Sequence, residues 1–443
     1  MDKQSVERFE YKGYWFLPND NENRIAGYLT FIPNERMELE LIGGFEKDFF
    51  KKQPRYAIIH GITSDSQKVT LVHCHSYGSI NLSCSFPITK YSCRYLIVGK
   101  HLTDINEHCF NRIKVHAPFL TKWIHPALIQ PIIQLVDNNN KEESISYSFS
   151  SDHKMKCEVD IDSQFRLVIK SCVDLNESNN LLDVSLSQFT YFEIESISNK
   201  TNIDNLLSRA RLFLEFISLA SLHLANLSSI TLYDSDNFQE FKNGAKSEYP
   251  IQFFERYENF RGNRTKNIKI YDFLFIYSDI KEIFSDILIK WFETKSDMAP
   301  IRGHLIKSVQ EKEYFDSLDF LIIVQALEGY HTRFLPQNRP TKANGTLGYI
   351  KLPQRIKELL LLFHNVVKIN GSQIDEKATV DSRNYYSHFY KRNKNHKILD
   401  GIELFELSKK LRILLICCVL HFVGFENDKI NELLNKSNNN KLR

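Results

Sequence analysis

From about residue 10 to residue 200 apolar and polar positions alternate with a period of two, as in Met37, Leu39 and Leu41 and again in Ser146, Tyr147, Ser148 and Phe149. Side chains of a strand point alternately to its two faces, so this rhythm predicts strands with one face buried. Clusters of Gly, Asn, Asp and Ser punctuate the runs, in PNDNEN, IGG, TSDSQ, DNNNKEE and NESNN. Their spacing predicts antiparallel strands in a sandwich or barrel, interrupted by a helix near His116 to Leu128. After about residue 200 the period lengthens, and Ile203, Leu206, Leu207, Ala210, Phe213, Leu214, Ile217 and Ala220 recur at the three- and four-residue steps of one helix face. A mixed stretch from about Thr231 to Ile270 follows, then a helix from Phe273 to Phe292 that Pro300 and Gly303 should close. The last block reads as four antiparallel helices. These are Tyr314 to Phe334, stopped by Pro336; Leu352 to Ile369, ended by Asn370-Gly371; one carrying Ser382 to Tyr390; and Ile402 to Gly424, with Leu404, Leu407, Leu411, Leu414 and Leu415 inward. The expected fold class is therefore α+β: a β-rich domain over 1–200, a helical connector over 201–305, a helical bundle over 306–430 and a frayed, Asn-rich tail over 431–443.

Composition narrows this picture without redirecting it. A chain of 443 residues exceeds one ordinary core, and 42% hydrophobic content is ample to bury two or three. Lys plus Arg (57) scarcely exceeds Asp plus Glu (54), so the net charge of +3 excludes a protein that coats nucleic acid and leaves only a local site for RNA. The opening run MDKQSVERFEYKGYWF lacks the apolar core of a signal peptide, and a cytoplasmic protein is expected. Arg209, Arg211, Glu215 and His223 interrupt the most apolar stretch, which argues against a membrane span. Eight cysteines stand without CxxC pairs and read as packing residues. His73, Cys74 and His75, with Cys84, Cys93, His108 and Cys109, come nearest to a metal-ligand set but match no zinc spacing; no metal and no cofactor is expected. IGGF and NGTLG lack the Lys-Ser/Thr of a phosphate-cradling loop, which argues against a nucleotide-driven enzyme.

One segment is a candidate for chemistry: Arg383-Asn384-Tyr385-Tyr386-Ser387-His388, following the cap-like Asp381-Ser382, with surface residues that pair with neighbouring carboxylates as the plain alternative from spacing alone. At about 100° per residue Asn384 and His388 share a helix face, while Arg383 and His388 diverge by roughly 140°, a gap that the length of an arginine spans. Attack of a ribose 2′-hydroxyl on its own phosphate needs a proton acceptor and a permanent cation, and His388 and Arg383 supply both without a metal. Asn384 can donate to phosphate or orient the imidazole. On the facing helix, Glu328 and His331 can orient the pair, or Glu328 can simply pair with Arg333. Lys391, Arg392, Lys394 and Lys397 form the densest basic patch and suit phosphate contact, with a solvated loop as the plain alternative.

The run SRNYYSHF, with QALEGYHTR on the first helix of the bundle and LFELSKKLRILLICCVLHFVGF on the fourth, resembles the Arg-to-His signature and helix order of ApeA-like HEPN ribonuclease domains, over about Glu311 to Phe425. GYWFLP, AGYLTF, LELIGGF and AIIHGITSDSQKVTL are similar to the β-rich domain that precedes it in that family. The resemblance implies a metal-independent endoribonuclease of abortive anti-phage defence, cutting host or phage RNA, with tRNA the sensible target because its cleavage halts translation. It implies a homodimer with two motif helices face to face, higher assembly left open, and a phage-borne trigger that maps to no residue. Arg383 and His388 carry over as the catalytic pair, and Asn384 and Tyr386 as supporting residues. Two rivals remain: a non-catalytic RNA-binding or dimerisation bundle, and a β-domain that binds a carbohydrate or other ligand through exposed aromatics such as Tyr14 and Trp15.

Overall fold

The computed structural model describes residues 8–33, 35–46, 55–77, 87–117, 119–124, 130–134, 144–148, 156–177, 184–225, 227, 229–256, 268–309, 317–335, 348–370, 374–392, 394–439 and 442. Within the expected loops, residues 137–143, 178–180 and 337–346 lie outside that set, as does Cys84. The chain forms two compact units, one from Met1–Pro118, Leu128–Arg211 and Asn226–Lys266, the other from Phe119–Ala127, Leu212–Ala225 and Asn267–Arg443.

The first unit is built on strands β1 (Phe9–Leu17), β2 (Asp20–Ile32), β3 (Arg36–Ile42), β4 (Arg55–Thr63), β5 (Lys68–Ser76), β6 (Ile88–Ser92), β7 (Tyr95–Val98) and β8 (Arg112–His116). The helix α1 (Leu120–Ile124), which belongs to the second unit, and a separate hairpin of β9 (Gln130–Gln134) and β10 (Ser144–Ser148) come next in the chain. Strands β11 (Lys156–Asp160), β12 (Phe165–Glu177) and β13 (Val184–Ser196) precede the helix α2 (Ile203–Ser221), and β14 (Ser229–Tyr233), β15 (Phe238–Glu240), β16 (Lys246–Glu248) and β17 (Ile251–Glu255) follow it. Among the described residues thirteen of these strands make one sheet in the order β11-β12-β13-β8-β14-β17-β7-β5-β4-β1-β2-β3-β6.

Pairing of β5 with β6, at His75 with Ser92 and Ser76 with Tyr91, closes the last six strands into a ring. Closure removes the open edges that a sheet otherwise exposes. On the edge opposite β4, β5 serves two partners, β7 along Val69–Val72 and β6 beyond, and the switch occurs at His73, which has φ of 53°. The period-two residues fill the ring: Trp15, Leu29, Leu39, Ile59, Leu71 and Tyr91 are wholly excluded from water. Each such side chain contributes about 1.5–3 kcal/mol of transfer free energy. Trp15 is thus a core residue and not an exposed aromatic; only Tyr14, 57% exposed, faces solvent as expected. A Cβ at Gly61 would lie 2.4 Å from the Trp15 ring, so the indole fits because that position has no side chain. His60 of β4 stacks on His101 with ring centroids 4.3 Å apart, and each Nε2 meets a backbone carbonyl, Leu102 O at 2.7 Å and Gly61 O at 2.9 Å.

Two expectations need correction in this unit. The segment 229–255, placed in a helical connector, supplies strands β14 and β17 to the sheet, where they pair with each other between β8 and β7 and bury Ile230, Thr231, Leu232, Ile251, Phe253 and Phe254. The helix near His116 is shorter than expected, since His116 itself pairs with Tyr191 in the sheet.

The second unit is helical: α3 (Tyr277–Ile280), α4 (Phe284–Glu293), α5 (Lys295–Val309), α6 (Ser317–Phe334), α7 (Leu352–Leu362), α8 (Val367–Asn370), α9 (Glu376–His388), α10 (Gly401–Phe422) and α11 (Asn427–Lys436). The four expected bundle helices fall on α6, α7, α9 and α10, except that the second, expected over Leu352 to Ile369, stops at Leu362 and is followed by the separate α8; α10 is the axis, with an unbroken buried run from Leu411 to Leu420. Pro300 does not stop a helix; it lies inside α5, which packs on α6 and α10. The break falls at Thr294, whose N–H reaches back to Lys290 O as the α4 cap. The described residues of the tail are not frayed. α11 buries Ile430, Leu433 and Leu434, Asn438 N–H donates to Tyr271 O at 2.9 Å, Asn439 Nδ2 donates to Asp272 O at 2.9 Å, and Leu442 is buried. Its asparagines therefore cap neighbouring backbone carbonyls, which an Asn-rich composition does not reveal.

Candidate active site

α9 starts at Asp375, whose carboxylate accepts from the Ala378 N–H at 2.8 Å and satisfies one of the donors that a helix start leaves open. Lys397 Nζ, 2.6 Å from the same carboxylate, is the main cause holding Asp375 below the usual carboxylate range, ahead of the Ala378 bond. The helix ends at Phe389, a left-handed residue with φ of 56° and ψ of 34°, next to His388. This conformation costs an L-residue about 1–2 kcal/mol, and Phe389 is 88% exposed, so packing of its ring does not offset it. Such strain is characteristic of functional sites.

Arg383 and His388 thus stand in the closing turns of α9, not behind a cap made by Asp381 and Ser382. Those two residues instead hold the segment that leads into α10: Asp381 Oδ2 accepts from Lys397 N at 2.7 Å and Ser382 Oγ accepts from Leu399 N at 2.9 Å. Tyr386, one turn after Ser382, donates its hydroxyl to Leu399 O at 3.1 Å. Its role in the structure is to fasten this return segment, and it contributes no atom to the Arg–His contact.

The guanidinium of Arg383 is the hub. Its Nη1 lies 3.2 Å from His388 Nε2 and 3.2 Å from Asn384 Oδ1, while Nη2 lies 3.3 Å from Glu328 Oε2 on α6. Arginine has no acceptor, so in this contact His388 Nε2 must accept with its lone pair, the form of imidazole able to take a proton. The arginine therefore bridges the angular gap that five residues of helix create. Asn384 orients Arg383 and does not touch the imidazole. Glu328 and Arg383 keep side-chain exposures of 18% and 29%, so the pair is open on one side. Arg355 of α7 donates from Nη1 to the Glu328 backbone carbonyl at 3.0 Å and also bonds the Thr332 hydroxyl, which fixes α6 at this level. No sequence pattern pointed to Arg355, because an arginine buried between helices looks like any surface arginine in a string of residues.

The remaining candidates separate. His331 is buried and pairs with Glu358 of α7 at 2.6 Å, away from the Arg–His contact. Glu328 pairs with Arg383 and not Arg333, which donates to Asp297 O. Arg392 is committed to Asp400 and lies over the Tyr385 ring at 5.2 Å. Lys391 and Lys394 are exposed. In the first unit, Cys74, Cys93 and Cys109 face the core while His73, His75 and His108 are exposed. Among the described residues no group of three His, Cys, Asp or Glu is placed to hold an ion, and no helix is long and apolar enough to cross a membrane.

Comparison with known families matches two consecutive parts of the chain. The family model for ApeA N-terminal domain 1 matches residues 10–291, and that for the Apea-like HEPN domain matches residues 321–429, which include the whole of α9. No curated protein and no solved structure matches the chain. HEPN domains are in general nuclease-like, bind RNA and dimerise. The N-terminal match alone spans more than half of the sequence, and with the HEPN match behind it the chain belongs to the ApeA-like proteins, a nuclease-type anti-phage effector family with a C-terminal HEPN domain.

Proposed function

We propose that the protein is a metal-independent endoribonuclease that cuts host or phage RNA, with tRNA as its target, and acts in the cytoplasm as an abortive-infection effector. The observation that carries this reading is the contact of Arg383 Nη1 with His388 Nε2 at 3.2 Å, on the open side of a helical bundle. His388 accepts the proton of a ribose 2′-hydroxyl as that oxygen attacks the adjacent phosphorus. Arg383 holds the phosphate oxygens and offsets the charge that grows on them. The bond to the 5′-oxygen then breaks, that oxygen takes a proton from water or from a second imidazole, and a cyclic phosphate remains. Glu328 and Asn384 position the guanidinium, and Lys391 and Lys394 contact the flanking backbone. The tRNA target rests on the consequence of cutting it, which is arrest of translation.

The test is expression of wild type, Arg383→Ala and His388→Ala in bacteria under tight induction, with growth and total RNA followed with and without phage. Wild type alone should slow growth or protect, with new RNA fragments whose ends identify the target. Loss of either member of such a pair lowers activity by about a hundredfold or more. Identical behaviour of three folded proteins would make the pair structural and leave a binding or dimerisation module.

A further inference from the structure

β14 and β17 pair directly, Ile230 with Phe253, and the chain between them leaves the sheet as the two-stranded arm β15–β16. The arm is latched by Glu248, whose Oε2 pairs with Arg112 of β8 and whose Oε1 accepts from Asn111 Nδ2 at 3.2 Å. An open cavity of about 540 Å³ lies between the arm and the ends of β8 and β14. That volume falls in the range of about 300–1,000 Å³ that small-molecule sites occupy.

Its walls hold two cation–aromatic pairs. The Arg112 guanidinium sits 4.1 Å from the centre of the Tyr233 ring, and Lys246 Nζ sits 4.3 Å from the centre of the Phe238 ring. The two cations differ in how they are compensated. Arg112 is neutralised by Glu193 at 2.9 Å and by Glu248, whereas Lys246 has no carboxylate partner among the described residues. Ser235 and Ser247 add hydroxyl groups to the lining. Flat aromatic surface, one uncompensated ammonium and hydroxyl donors in a single concave site match a ligand with a planar ring and a compact anionic group.

We propose that this cavity binds a nucleoside monophosphate, its base against Tyr233 and Phe238 and its phosphate at Lys246 with Ser235 and Ser247. The site is independent of Arg383 and His388, so its existence does not hang on the nuclease reading. Because Glu248 and Arg112 already occupy each other, the ligand meets a formed pocket with one free charge, and the phosphate decides affinity.

Titration calorimetry of the full chain with adenosine and uridine monophosphates, the parent nucleosides and inorganic phosphate tests this. A monophosphate should bind saturably, the nucleoside and phosphate much more weakly, and Lys246→Gln and Phe238→Ala should each weaken binding about tenfold or more. Both substitutions lie on the arm, and circular dichroism checks that the fold is kept. Three results would each overturn the proposal: no binding of either nucleotide, equal binding of the nucleoside or of phosphate alone, or affinity unchanged in both folded variants.

Discussion

At the scale of single residues, side-chain reach decides what helix geometry alone forbids. The five-residue spacing of Arg383 and His388 puts their Cβ atoms on diverging faces, yet the guanidinium meets Nε2 because Glu328 and Asn384 draw it along the helix. The same scale governs the stacked His60 and His101. Burial is the first cause that lowers both imidazoles below their ordinary pKa; the carbonyls of Leu102 and Gly61 act in the opposite sense, and His60 and Lys68 further lower His101. A depressed histidine favours the neutral folded form, so the unfolded chain binds protons first as pH falls. The stability linked to this pair is present above the unfolded value of about 6.5 and is lost as pH falls through the lower folded value. Denaturant midpoints should therefore fall between about pH 7.5 and about pH 5.5, and the double variant His60→Gln, His101→Gln should show a flatter dependence. An unchanged slope would remove this pair from the acid response.

At the scale of elements, α9 is a weakly apolar helix held by its ends and by the segment it fastens. Ala378, Thr379 and Ser382 are its buried residues, so caps and side-chain tethers matter more here than in α10. Asp375 serves both, capping the helix and pairing with Lys397 of the return segment. Asp375→Ala should cost about 1 kcal/mol from the lost cap, and faster amide exchange over 376–388 is the local measurement that detects it. A global loss of the same size with unchanged exchange in α9 would place the effect elsewhere. The motif's helix was legible in the sequence, but its bounds were not: Asp381 and Ser382 have the composition of a cap, and the real cap is six residues earlier, chosen by the contact of Asp375 with Lys397.

At the scale of the whole molecule, the aromatic rings of Phe389 and Tyr390, directly after His388, and the side chains of Ile402 and Phe405 at the start of α10 are all at the surface. The pair of facing motif helices that the family resemblance implies predicts a dimer in solution at about micromolar concentration, measured by light scattering, as interfaces rich in aromatic residues commonly support. A strict monomer that still cuts RNA would refute that pairing while leaving the Arg–His chemistry intact. Alternation along β1 to β3, the helical stripe from Ile203 and the apolar run of α10 were enough to give an α+β chain with a β-rich first part and a helical last part. Periodicity is local, and each of those elements buries the face that its own residues dictate. What the sequence could not decide is which distant residues meet. Ring closure depends on β5 changing partners at His73; the strands at 229–255 are strands because β8 and β7 offer edges to pair with; Asn438 and Asn439 of the tail are held because Tyr271 and Asp272 offer carbonyls. Trp15 is buried because Gly61, far along the chain, leaves room for it. These outcomes come from non-local pairing, whose free energy appears only when the whole chain has folded, and the candidate site shares that character: Arg383 and His388 are named by the sequence, but Glu328 and Arg355 join them only in three dimensions.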